Sequence, residues 1–396
     1  MQPAMKHGLD LPQPDPDSAR HSERVADHIA RAITDAGGVI SFAEYMQHAL
    51  YAPGLGYYVA GTTKFGADGD FVTAPEVSPL FGHVLATQCA QVLAEMGHGD
   101  LLEFGAGSGA LAVQVLEKLD ALDSLPKRYQ ILEVSADLQQ RQEALINEKL
   151  PGLATRVEWI SSWPSGFCGV LLANEVVDAL PVERFTKDAG SVMQLCVACE
   201  QGALRWQRRP APEPLARAVA NIETRLGREL EDGFESEVCL ALEPWIARLS
   251  EMLTAGMAFL FDYGTSGREY YGPERNEGWL RCHFRHRAHD DPLILPGIQD
   301  ITSWIDFSAL AEAAARAGLD VAGYVTQAHF LIEGGLYEEL GEFARKSPQE
   351  QLELSRQTKL LTLPTEMGEN FKCIGLSRGD VSPPTAFRHA DRAHHL

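Results

Sequence analysis

The sequence predicts an α/β fold: a doubly wound sheet with an N-terminal helical extension and an inserted cap subdomain. Three observations lead there. An apolar run, Leu101-Leu102-Glu103-Phe104, enters the glycine-dense turn Gly105-Ala106-Gly107-Ser108-Gly109, and a helical pattern at 110–119 leaves it. Apolar runs and helical patterns then alternate, as crossovers between parallel strands require. A stretch at about 180–250 breaks the alternation and is too long for an ordinary connection, so it is expected to build a subdomain.

The elements follow in order. Residues 1–20, rich in proline and aspartate, read as a disordered lead-in. An extension at 21–98 comes next. It starts with a helix at 23–37, where Val25, Ile29, Ala30 and Ile33 recur at helical spacing. Ser41 and Glu44 form a capping box for a helix at 42–50, and Pro53-Gly54 ends it. The polar, proline-broken segment 66–79 reads as a loop lining a pocket, and a helix at 80–96 follows. Strands are expected near 100–104, 129–133, 156–160, 169–173 and 256–262, with a last pair near 321–326 and 371–376. A helix at 135–149 follows the second strand. The ligand-binding half thus covers 99–180, the cap 181–255 and the rest of the domain 256–378. Within the excursion lie a hairpin, 192–199 and 203–208 around Glu200-Gln201-Gly202, and helices at 213–230 and 242–254. The histidine-dotted end, 379–396, reads as a disordered tail.

At 396 residues, 45% apolar and 22% charged, the chain has an ordinary globular composition. A net charge of −21 disfavours nucleic acid and anionic lipid as partners. No apolar run is long enough for a membrane span, and neither a secretory signal nor an arginine-rich transit peptide is visible. Seven scattered cysteines fit a reducing, cytoplasmic setting. Cys196 and Cys199 fall on an expected strand, where side chains three apart face opposite ways and cannot share a metal. Cys282, His283, His286 and His289 lack a second cysteine pair, so no metal site is expected.

The glycine turn carries the chemistry. Glycines allow positive φ and close backbone approach, and the helix start offers free N–H groups to a nucleotide-like ligand. Gly105, Gly107 and Ala110 also meet the looser dinucleotide pattern, and a purely structural turn is the bland alternative. The extra Gly109 makes the pattern E-x-G-x-G-x-G, which resembles the first motif of class I methyltransferases. Glu133 ends the next apolar run, Tyr129-Gln130-Ile131-Leu132, where an acid suits ribose hydroxyls. Together these features point to S-adenosylmethionine as cofactor.

In such a sheet the reacting groups sit beyond the carboxyl ends of the strands. The fourth strand delivers Asn174 and Glu175 there, followed by Asp178. If a helical turn begins here, Glu175 and Asp178 share a face. Methyl transfer needs an aligned nucleophile and a group to remove its proton. Carboxylates suit an amine or guanidinium nucleophile. The bland reading makes Glu175 a helix cap and Asp178 a solvated acid. Glu76, Asp70 and Tyr58 are lesser, substrate-side candidates, and Tyr57, Asp262 and Tyr263 face the same pocket or simply pack.

Three motifs, Gly69-Asp70-Phe71-Val72-Thr73-Ala74-Pro75-Glu76, Glu103 to Gly109, and Ala173-Asn174-Glu175-Val176-Val177-Asp178-Ala179-Leu180-Pro181, together resemble the MidA-like family. Phe261-Asp262-Tyr263-Gly264, Gln299-Asp300-Ile301-Thr302 and Met367-Gly368-Glu369-Asn370-Phe371-Lys372 extend the resemblance over about 40–377. It implies a Rossmann-like class I methyltransferase sheet using S-adenosyl-L-methionine. By motif, Glu103, Gly105, Gly107 and Gly109 bind the cofactor, Glu133 holds its ribose, and Asn174 and Glu175 border the active site. The mitochondrial branch implies a respiratory complex I subunit dimethylated on arginine. The expected activity is protein arginine methylation in the cytoplasm, by a chain able to form a homodimer. The rivals are a non-catalytic assembly factor, a nicotinamide oxidoreductase and a methyltransferase for a small molecule.

Overall fold

The computed structural model describes residues 11–60, 72–341 and 343–396. The chain divides into two compact units, one of Val72–Leu180, Ala241–Gly272 and Trp304–Leu396, the other of Met1–Phe71, Pro181–Leu240 and Pro273–Ser303.

The first unit is built on an eight-stranded sheet. Its main strands are β1 (Asp100–Phe104), β2 (Tyr129–Leu132), β3 (Val157–Ile160), β4 (Phe167–Asn174), β5 (Leu253–Thr265), β6 (Asp320–Thr326) and β7 (Phe371–Arg378). They lie in the order β6-β7-β5-β4-β1-β2-β3. The chain runs outward from β1 through β2 to β3, then crosses to β4 on the other side of β1. The switch in strand order therefore falls between β1 and β4, where ligands bind in open α/β sheets. Strands β3, β2, β1, β4 and β5 are mutually parallel, whereas β7 runs antiparallel to both β5 and β6. The parallel pattern of the doubly wound sheet thus ends at β7.

Helices α1 (Pro79–Met96), α2 (Ala110–Ala121) and α3 (Ala136–Lys149) belong to this unit, as does α4 (Leu242–Met252). Its core joins Leu85, Cys89 and Val92 of α1 and Val115 and Leu119 of α2 to Leu101, Ile131, Val170 and Phe259 from the strands. Phe261 stacks edge-on against both Phe81 and Phe330, at 5.1 and 4.8 Å. Burying each such ring contributes about 2 kcal/mol.

Three segment expectations need correction. The tail is ordered: Phe387 is buried against Phe259 and Phe330, and Asp391 accepts a hydrogen bond from the Tyr324 N–H at 2.8 Å. Thr385 and Arg392 add hydrogen bonds to Gln91 and Glu369, so a mostly polar segment is held at several points. The lead-in is helical from Pro16, because the Asp15 carboxylate caps the N–H groups of Asp17 and Ser18. Residues 1–10 lie outside the described residues. The segment expected as the cap, 181–255, ends at Leu240 as a spatial unit, and α4 groups with the sheet.

The second unit gathers pieces distant in sequence. Ser191–Glu200 pairs with Val39–Ile40, Glu183–Asp188 and Ala203–Pro210, and Glu183–Asp188 also pairs with Glu235–Val238, all antiparallel. Leu280–Phe284 pairs with Arg287–His289 and Asp300–Ser303 in a smaller sheet. The Ser41–Glu44 capping box opens the helix Phe42–Tyr51 as expected. Val25, Ile29, Phe42 and Tyr45 pack with Val197, Cys282 and Ile301 in its core. Cys196 is buried on its strand, and among the described residues no cluster of three or more His, Cys, Asp or Glu is arranged to hold a metal.

Candidate active site

The glycine turn leaves β1 with Gly105, Gly107 and Gly109 at φ of 61°, 55° and 88°, a region L side chains rarely adopt. A Cβ on Gly105 would touch Val176 Cγ2 at 3.4 Å, and one on Gly109 would crowd Gln142 at 3.3 Å. Gly109 caps α2 without a side-chain bond of its own, and the Ser108 hydroxyl accepts from the Ala110 N–H at 3.3 Å.

Each acid near the turn has a place. Glu103 is buried beneath it and accepts a hydrogen bond from the Tyr129 hydroxyl at 2.6 Å. Burial pushes its pKa up to about 7, against the lowering effect of that hydroxyl. Glu133 follows β2, and its two oxygens accept from the Ser135 N–H at 2.8 Å and from Gln142 Nε2 at 3.0 Å. Glu76, expected on the substrate side, lies on the short helix Ala74–Val77 and accepts from the Ser108 hydroxyl of the turn itself.

At the end of β4 the arrangement changes character. Asn174 Nδ2 donates to Glu175 Oε1 at 3.3 Å, while Asn174 Oδ1 is buried without a partner. Glu175 sits at φ 53°, its N–H donating to the Phe261 carbonyl at 2.9 Å. No helix follows, so Glu175 is not a helix cap, and the shared helical face with Asp178 does not form. Asp178 is not solvated but 3% exposed, and one of its oxygens, Oδ1, is unpartnered. Tyr263 hydrogen-bonds to the Asp178 carboxyl. Asp262, on β5, accepts from the N–H groups of Val177 and Asp178 at 3.0 and 3.1 Å and so folds the 175–178 segment over itself. Burial, then the charges of Asp178 and Glu175, raise Asp262 well above the carboxylate range. Burial also raises Asp178. Of this buried pair, Asp262 holds its proton the more strongly.

Tyr58 belongs to the second unit, where its hydroxyl donates to Asp300 Oδ1 at 2.7 Å and its ring stacks on Tyr51. Asp70 lies outside the described residues. Sequence reasoning missed Gln142, Ser108 and Tyr129, and it gave Asp262 only a minor place. Gln142 left a signal, since it falls midway between Leu138 and Ile146 on the buried stripe of α3.

The residues present suit an adenosyl sulfonium cofactor. The switch point holds a turn whose glycines sit at positive φ, an acid fixed after the second strand, and buried acceptor oxygens at the end of β4. A dinucleotide would need a similar turn, and comparison with known proteins separates the two. Residues 84–325 match the family model described as S-adenosyl-L-methionine-dependent methyltransferase. A crystal structure of a Burkholderia thailandensis protein bound to S-adenosyl-homocysteine is similar at TM-score 0.92 and 40% identity, over 98% of this chain and 100% of that one. The rat protein named "Protein arginine methyltransferase NDUFAF7, mitochondrial" is 30% identical over 91% of this chain and 86% of its own length. Its human counterpart is 30% identical over 86% and 80%. Cofactor and reaction class follow from these likenesses, and the nicotinamide and non-catalytic readings give way. The chain belongs to the MidA-like family of S-adenosyl-L-methionine-dependent methyltransferases.

Proposed function

We propose that the chain methylates an arginine side chain of a protein, with Glu175 and Asp178 holding the guanidinium. The observation that carries this reading is the pair of buried, unpartnered acceptor oxygens, Asn174 Oδ1 and Asp178 Oδ1, beside the raised acids at the end of β4. Buried acceptors without donors call for a ligand rich in N–H groups, and a guanidinium carries five of them with a positive charge. The names of the rat and human relatives support the same acceptor.

When bound, the cofactor supplies a methyl carbon activated by positive sulfur, with a neutral thioether as leaving group. The chain's own residues do the rest. Glu133 takes ribose hydroxyls, and the glycine turn gives backbone close approach. Glu175 orients the acceptor by charge-assisted hydrogen bonds. As the nitrogen–carbon bond forms and the carbon–sulfur bond breaks, one proton must leave the nitrogen. Asp178 Oδ1 receives it. Asp262 keeps its own proton and so spares the pocket a further negative charge. Glu103 acts from beneath the turn, not within it.

The test compares the proteomes of a deletion strain and its parent by mass spectrometry. A methylarginine present in the parent and absent from the deletion strain is expected, with subunits of respiratory complexes examined first because of the family resemblance. Loss of a methyl mark from another residue type, with every methylarginine retained, overturns the arginine assignment. A cytoplasmic location belongs to the same proposal and is read by fractionation.

A further inference from the structure

We propose that Gln142 is a positioning residue that locks the ribose acid to the glycine turn. The inference rests on the reading of Glu133 as the ribose ligand. Gln142 is 0% exposed, in the middle of the buried stripe of α3. A buried amide on such a stripe is costly unless every polar atom finds a partner. Here each does. Nε2 donates to the Gly107 carbonyl at 2.9 Å and to Glu133 Oε2 at 3.0 Å, and Oε1 accepts from Trp159 Nε1 at 2.9 Å.

The chemistry of the partners fixes the orientation of the amide. The Trp159 indole can only donate, so it claims Oε1. A carbonyl and a carboxylate can only accept, so they claim the two hydrogens of Nε2. A flipped amide would lose all three bonds. Trp159, on β3, therefore aims Gln142, and Gln142 aims two parts of the cofactor site together. One is the Glu133 carboxylate, whose other oxygen is already held by the Ser135 N–H at 2.8 Å. The other is the Gly107–Ser108 peptide. That peptide is trans, so anchoring its carbonyl toward α3 turns the Ser108 N–H the opposite way. Gly109 completes the device, since a Cβ there would come within 3.3–3.4 Å of Gln142.

The test is calorimetric titration with S-adenosyl-homocysteine at pH 6 and pH 8, with a melting curve of each ligand-free variant. Glu133→Ala is expected to weaken binding at both pH values. Gln142→Met loses all three bonds at similar volume and should weaken binding about tenfold. Gln142→Glu places a second carboxylate beside Glu133. It should bind more weakly still at pH 8 and recover at pH 6, where one proton can be shared. Trp159→Phe leaves the buried Oε1 without its donor, loosening the hold on the amide, and should cost several-fold. Packing alone would produce no such pH dependence. If Glu133→Ala is weakened while both Gln142 variants bind within twofold of the parent at pH 8, Gln142 is a packing residue only and the inference fails. If Glu133→Ala binds like the parent, the ribose reading fails and takes the inference with it. Should Gln142→Met not fold, the pH response of Gln142→Glu and the loss in Trp159→Phe decide.

Discussion

The ends of β1 and β4 are neighbours at the switch point, yet they are built on opposite principles. Beyond β1, the polar groups of the glycine turn and its supports bond to one another: Glu133 to Gln142 and Ser135, Gln142 to Trp159 and Gly107, Glu76 to Ser108. Beyond β4, two buried acceptors lack partners, three acids crowd together, and Glu175 holds a left-handed backbone. An unpaired buried acceptor costs about 1–3 kcal/mol, and a non-glycine residue held at positive φ costs about as much. The first region is complete before any ligand arrives. The second leaves its acceptors open, and on the proposed reading strain and unmet hydrogen bonding are concentrated where the acceptor is held.

If that division is right, changes in the two regions have separable effects. The largest is expected from Glu175→Gln, which keeps the shape and the acceptor oxygen for Asn174 but removes the charge. Methyl transfer from tritiated cofactor into protein of a deletion-strain lysate should fall by about 100-fold or more. Affinity for S-adenosyl-homocysteine should stay within about threefold. A variant that loses cofactor affinity instead would merge the two regions. Gly105→Val is the reverse experiment. A β-branched residue at φ 61° with Val176 3.4 Å away combines strain with crowding. An affinity loss of about 100-fold for S-adenosyl-homocysteine is expected by calorimetry. Parent-like affinity in a folded Gly105→Val protein would show that the turn does not touch the ligand.

The first region was the more legible in sequence, and for the same reason. Strand, glycines and helix are local, so 100–104 and the helix from 110 could be read directly, and Glu133 followed from the next strand end. The second region depends on contacts across the chain. Asp262 reaches the 175–178 segment from a strand more than eighty residues later, and no spacing rule announces it. Strands of the second unit were hidden differently. Glu183–Asp188 and Glu235–Val238 carry charges that pair inside the fold, as Arg184 does with Glu237 at 3.2 Å and Lys187 with Glu223 at 2.8 Å. Charged residues that satisfy one another erase the alternation by which a half-buried strand is read. The tail reads as polar in sequence because its anchors are few and distant: Ala386 and Phe387 in the core, and Asp391, Arg392 and Thr385 bonded to residues far along the chain.

The smallest expected effect tests whether Glu103 belongs to the self-satisfied region despite being an acid. Its folded pKa lies near 7, above an ordinary glutamate value of 4.5, because burial opposes the charge. The folded state therefore binds this proton more tightly than the unfolded chain does. The stabilisation is fully present below about 4.5 and is lost as pH rises through about 7. Between pH 5.5 and 7 the term amounts to about 2 kcal/mol, at roughly 1.4 kcal/mol per unit. Glu103→Gln cannot ionise, and its carbonyl can still accept from the Tyr129 hydroxyl. Histidines held below their usual pKa by burial, such as His48 and His289, give an opposing slope, so the informative quantity is the difference between variant and parent. Chemical denaturation across this range should show the variant gaining on the parent as pH rises. A difference that stays flat with pH would mean that the carboxylate ionises freely in the fold. Glu103 would then stand with Asp178 among the charged, unfinished groups, not with the supports of the turn.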